Sequence, residues 1–132
     1  MKVPIEKLRL DSITEKYYDC NLIKEGSNVI IRFDAYCELV FESYLIFKCG
    51  YPNEEVYMHS ELYSENEIHK HRLYALPDSD WIKEMDKMNE VHDRHRPGML
   101  KDHVHFMIFF QDEVFECIST SYKLTQYLKL QP

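Results

Sequence analysis

Seven histidines stand within one stretch of this 132-residue chain: His59, His69, His71, His92, His95, His103 and His105. Neutral imidazole is the commonest metal-ligand side chain, and a metal site needs three or four converging donors. Two pairs have usable spacing. His103 and His105, two apart, share one face of any strand that has begun by residue 103, and His92 and His95 fall on one side of a last helical turn. Asp93 and Asp102 are the carboxylates placed to complete or orient such a set. One expectation is therefore a divalent transition metal held by His92, His95, His103, His105, Asp93 and Asp102 in a small hydrolase. The other gives the same histidines structural or surface roles and needs no cofactor. It is preferred, because the flanks of the His-x-His pair complete no metalloenzyme motif.

Glu116 is the second group of interest, since Val114 and Ile118 share its strand face and a carboxylate among apolar neighbours needs a donor. Arg32 and Lys48 are the cations expected on an adjacent strand. A hairpin centred on Asp112 sets Glu116 opposite Ile108, well along the sheet from His103. Other catalytic signatures are absent. There is no H-E-x-x-H, no G-x-S-x-G and no glycine-rich phosphate loop, and no serine has the context of a nucleophile elbow.

The element that must position these groups runs from His103 to Tyr122. Its apolar run Val104 to Phe110, polar break at residues 111–113 and β-rich run Val114 to Ile118 predict a hairpin at the centre of a sheet. A second hairpin is predicted from Tyr17–Ile23 and Val29–Phe33 around Gly26 and Asn28. Residues 39–49 alternate as one further strand, with Leu39, Phe41, Leu45 and Phe47 on one face. Residues 1–15 read as a weak helical or irregular segment, and Lys123 to Lys129 as a short helix or strand extension.

One helix is predicted after Pro77, with Asp78, Ser79 and Asp80 as capping candidates. Trp81, Met85, Met88 and His92 form its apolar stripe, and Trp81 is its anchor on the sheet. Pro97-Gly98 closes the segment. Residues 51–77 read as a long irregular excursion. Its Tyr51, Tyr57, Tyr63 and Tyr74, with Glu61 and Glu65, are the candidate binding surface, because tyrosine joins apolar area to a hydroxyl.

Gly50 to Glu55, Asp80 to Glu84, and His105 through Phe110 with Asp112, Phe115, Glu116 and Cys117 together resemble a set of small uncharacterised bacterial proteins. The likeness covers roughly the C-terminal two thirds of the chain. It implies a single bacterial domain and no particular activity. That set commonly has a histidine where this chain has Gln111.

Length and composition are those of one globular domain, 1–132, with 45% hydrophobic and 30% charged residues. The net charge is −7, and residues 51–100 carry eleven acidic against six basic side chains. Such a field repels phosphate backbones, so nucleic acid is disfavoured and a basic protein partner fits better. The four cysteines lack C-x-x-C spacing and are expected to be free and buried. No apolar leader or membrane-length run is seen, which predicts a cytoplasmic protein. The sequence thus predicts an α+β fold, a predominantly antiparallel sheet of about five strands with one main helix packed on a face. The leading functional expectation is a non-enzymatic binding or accessory protein, immunity-like in character.

Overall fold

The two hairpins anticipated from apolar alternation both form, and they lie in different sheets. The computed structural model describes residues 6–8, 20–33, 37–50, 73–76, 79–110 and 113–126. Among these residues the strands are β1 (Glu6–Leu8), β2 (Cys20–Glu25), β3 (Asn28–Phe33), β4 (Cys37–Glu42), β5 (Ile46–Gly50), β6 (Leu73–Leu76), β7 (Val104–Phe109), β8 (Val114–Ser119) and β9 (Ser121–Gln126). One helix, α1 (Asp80–Met88), and a 3-10 turn at Asn89–Val91 stand between β6 and β7. One sheet has the order β1-β6-β7-β8-β5 and the other β2-β3-β4-β9. Every neighbouring pair is antiparallel. The α+β class and the antiparallel character match expectation, but two sheets replace the single sheet of about five strands.

The cause lies in residues 39–49, which alternate as one strand yet form two. Ser43 has φ 51°, in the left-handed region that non-glycine residues rarely enter. The chain turns there, leaving β4 in the four-stranded sheet and starting β5 in the five-stranded one. The neighbouring chain turns beside it, from β8 into β9. Glu42 pairs with Ser121 and Ile46 with Ile118, so three residues, 43–45, oppose two, 119–120. This is a bulge at a corner, by which a two-stranded ribbon passes from one sheet to another. Leu45 N donates to Ile118 O at 2.7 Å, and Thr120 donates to Glu42 O through both its N–H and its hydroxyl.

The period of two along each strand sends alternate side chains between the sheets. Val29, Ile31, Leu39 and Phe41 from one sheet meet Leu73, Phe106, Ile108, Phe115 and Cys117 from the other in one buried cluster. Phe41 is its centre, with ring centroids 5.2 Å from Phe106 and 5.3 Å from Phe115. Aromatic pairs of this kind add about 0.5–1.5 kcal/mol beyond the area they bury. The opposite face of β6, β7 and β8 carries Tyr74, Met107, Phe109 and Val114 as a smaller cluster. His105 and Glu116 stand on this same face, and α1 reaches it through Ser79 and Trp81.

Of the two forms expected after Tyr122 the strand is found, as β9, while two other local expectations are corrected. Residues 6–8 of the segment 1–15 form an edge strand, β1, beside β6. The apolar stripe of the helix stops short of Met88 and His92, which are both exposed, because the α-helix ends at Met88 and the tighter 3-10 turn breaks the 3.6-residue period. β6 lies inside the predicted excursion, whose residues 51–72 and 77 are outside the described residues. No helix among the described residues is long and apolar enough to cross a membrane.

Candidate functional site

Ser79, three residues beyond the end of β6, starts α1. Its backbone is extended, φ −89° and ψ 121°, and its Oγ accepts from Ile82 N at 3.1 Å, which makes it the N-cap. The same Oγ lies 2.7 Å from Nδ1 of His105 on β7. On the other side of that ring, Nε2 lies 2.8 Å from Oε1 of Glu116 on β8. Lys48 Nζ stands 3.4 Å from the second carboxylate oxygen, Oε2. The chain Ser79–His105–Glu116–Lys48 thus ties together α1, β7, β8 and β5.

The partners fix the proton positions. A carboxylate only accepts, so Nε2 carries the hydrogen that goes to Glu116. In a neutral imidazole Nδ1 is then an acceptor, and the Ser79 hydroxyl donates to it. Burial pushes the Glu116 carboxyl up, but the hydrogen bond from His105 and the charge of Lys48 more than offset this and hold it below the ordinary carboxylate range. Trp81, on the first turn of α1, sets its ring edge-on to the imidazole at 5.1 Å, and Lys48 Nζ lies 4.5 Å from the indole centroid.

Glu116 reaches His105 because of the hairpin register. Met107 pairs with Glu116 and His105 with Ile118, which makes His105 and Glu116 diagonal neighbours on one face. The expected register, with Glu116 opposite Ile108, was one residue out, and a slip of one sends a side chain to the wrong face. Of the expected cations, Lys48 takes the role beside Glu116, directly across β5 and β8, while Arg32 pairs with Glu38 at 2.7 Å.

A hydroxyl bonded to an imidazole that is bonded to a carboxylate is the arrangement used in acyl transfer. Here three features distinguish it from that arrangement. Ser79, His105 and Glu116 are 4%, 5% and 6% exposed, which leaves the hydroxyl no open approach. The Ser79 oxygen already holds the Ile82 N–H. The ring faces serine with Nδ1 and the carboxylate with Nε2, the reverse of the serine-protease order. What the chain does is fasten the start of α1 to the sheet with polar groups that satisfy one another.

The predicted metal set is dispersed. His105 has both nitrogens engaged by Ser79 and Glu116. His95 folds back on α1, with Nε2 3.1 Å from Asp86 Oδ1. His92, Asp93 and Asp102 are exposed. His103 precedes β7, and its buried Nδ1 has no hydrogen-bond partner among the described residues. No three His, Cys, Asp or Glu side chains among the described residues converge as a metal site would require.

The predicted binding surface is reached at one point. Tyr74 is on β6, 2% exposed and edge-on to Phe109 at 6.1 Å, so it belongs to the interior and not to a surface. Its position on a strand covered on both faces explains the burial. Tyr51, Tyr57, Tyr63, Glu61 and Glu65 lie outside the described residues, as do His59, His69 and His71. Of the cysteines, Cys117 is buried and Cys49 is exposed on β5, contrary to the expectation that all four are buried.

Ser79 was legible as a cap but not as the partner of His105. A strand, a two-residue connection, a serine and then a helix bring that hydroxyl back over the neighbouring strand, and this order was the available signal. No family model, curated protein or solved structure matches this chain.

Proposed function

We propose that this chain is a non-enzymatic, cytoplasmic binding or accessory protein of the immunity kind, which engages a basic protein partner. The observation that supports this reading is the closure of the Ser79–His105–Glu116 chain. These are the described residues that most resemble a catalytic set, and each is under 7% exposed with its polar atoms already engaged by neighbouring groups. The net charge of −7 supports the choice of partner, because an acidic surface speeds and orients encounter with a basic one.

The test pairs capture with labelling. Immobilised full-length protein is expected to retain a basic protein from the source lysate at low salt and to release it as salt rises. A fluorophosphonate probe, which reports activated serines, is expected to leave Ser79 unmodified. Recovery of no basic protein at low salt would count against the binding role, and stoichiometric labelling of Ser79 would overturn the non-enzymatic part.

A further inference from the structure

The Lys48 ammonium stands at a point where a cation is received from two sides. Nζ lies 4.5 Å from the centroid of the Trp81 ring, inside the ~6 Å reach of a cation–π contact, and 3.4 Å from Glu116 Oε2. The two walls of this seat are fixed. Trp81 is on the first turn of α1, whose start is fastened by Ser79, and its ring rests edge-on against the His105 imidazole at 5.1 Å. Glu116 is held from within, where Oε1 accepts from His105 Nε2 at 2.8 Å, and its side chain is 8% exposed. The occupant is held less firmly. Lys48 comes from edge strand β5, its side chain is 59% exposed, and its ion pair is longer than the ~2.7–2.9 Å of a close charge-assisted hydrogen bond.

We propose that the Trp81 face and Glu116 Oε2 form the seat for one arginine side chain of a protein partner, with Lys48 standing in until that side chain arrives. This anchor rests on the basic partner proposed above. A cation already fills the place, so the exchange asks for no movement of strand or helix, and the other contacts of Glu116 stay as they are.

Arginine suits the seat better than lysine does. Its guanidinium is planar and more weakly hydrated than an ammonium, stacks on an aromatic face and keeps N–H groups at its edge for a carboxylate oxygen. The strongly hydrated Lys48 ammonium is the weaker occupant, and its exposed stem returns it to water on displacement. Walls fixed in advance lose little freedom when the ligand arrives, which favours binding. The carboxylate restricts the seat to cations, and the chain's net charge of −7 favours their approach.

Trp81 is the single tryptophan of the chain, so its indole N–H gives one identifiable resonance in isotope-labelled full-length protein. Titration with N-acetyl-arginine amide should move that resonance saturably in Lys48→Ala and in Lys48→Thr, which keeps a β-favouring residue on the strand. The wild type should need about tenfold more of the amide, the factor that a loose ion pair and an exposed cation–π contact amount to together. N-acetyl-citrulline amide, of similar shape without the charge, should give no saturable shift. Adding Glu116→Gln to either Lys48 variant should remove most of the arginine response while leaving an oxygen for His105 Nε2. Far-UV circular dichroism checks the fold of each variant, and the wild-type titration still reads the seat should one of them not fold. The seat is overturned by folded Lys48 variants without a saturable shift, by citrulline matching arginine, by a wild type that binds as tightly as they do, or by a Glu116→Gln change without effect. These titrations use no partner. A failed capture of basic protein therefore leaves their result standing, and a failed titration beside a successful capture removes the seat but not the partner.

Discussion

His105 and Glu116 are joined across β7 and β8 by a 2.8 Å hydrogen bond between Nε2 and Oε1, inside a face that is otherwise mostly apolar. The imidazole needs an acceptor there more than it needs a charge. Glu116→Gln keeps an amide oxygen for Nε2–H and should cost about 1 kcal/mol, whereas Glu116→Leu strands a buried donor and should cost about 3 kcal/mol. Urea unfolding of the two variants measures the difference. Equal losses would mean that the charge, not the hydrogen bond, carries the contact.

The lowered pKa of Glu116 sets a pH dependence. A carboxyl whose folded value lies below its unfolded value contributes stability above the unfolded value, about 4.3 for glutamate. That contribution is lost as pH falls through the folded value. The thermal midpoint should therefore drop on the acid side of about pH 4.3, and Glu116→Gln should flatten this limb. A variant with an unaltered acid limb would remove Glu116 as its source.

Ser79 serves two partners with one oxygen. Ser79→Ala removes the helix cap and also leaves His105 Nδ1 without its donor. The expected loss is about 2–3 kcal/mol, above the ~1 kcal/mol typical of a cap alone. Ser79→Thr retains the hydroxyl and should recover most of it. A loss no greater in Ser79→Ala than a bare cap costs would show that the contact with His105 adds nothing.

Cys117 is buried, and burial pushes its thiol up to about 12, against a smaller lowering from its hydrogen bond with Ser119. Since the thiolate is the reactive form, Cys117 should resist alkylation at neutral pH in the folded protein. Exposed Cys49 should react first. Mass spectrometry after brief iodoacetamide treatment distinguishes them, and early modification of Cys117 would contradict the burial.

Ser43 holds φ 51° with a side chain that disfavours it. Ser43→Gly removes the steric cost of the left-handed conformation, about 1–2 kcal/mol, and returns part of it as unfolded-state entropy. A net gain of up to about 1 kcal/mol is expected, read as a raised urea midpoint. A destabilised Ser43→Gly would show that the corner relies on the serine hydroxyl.

The central hairpin was legible because Val104 to Ser119 carries strand-type side chains across a short polar break, and burial on both faces of β7 and β8 agrees with its near-continuous apolar run. The division into two sheets was not, because its cause is one dihedral angle at Ser43, a residue type that does not signal a corner. For the site, His105, Glu116, Lys48 and the Ser79 cap were each visible in the sequence. Their meeting depends on a register set by the connection between β7 and β8, which alternation alone fixes only to within a residue. The metal expectation rested on histidines being near in sequence, and strand and helix geometry separates neighbours such as His92 and His105 into solvent and interior.

The ribbon that turns at residues 43–45 and 119–120 also changes which margins of the sheets can fray. β5 and β9 are edge strands, yet each is the covalent continuation of an inner strand of the opposite sheet, β4 and β8 respectively. Peeling either one from its layer pulls on the middle of the other. The amides of β5 and β9 should therefore exchange with solvent deuterium more slowly than those of β1 and β2, the edges without such a continuation, and the two layers should lose protection together.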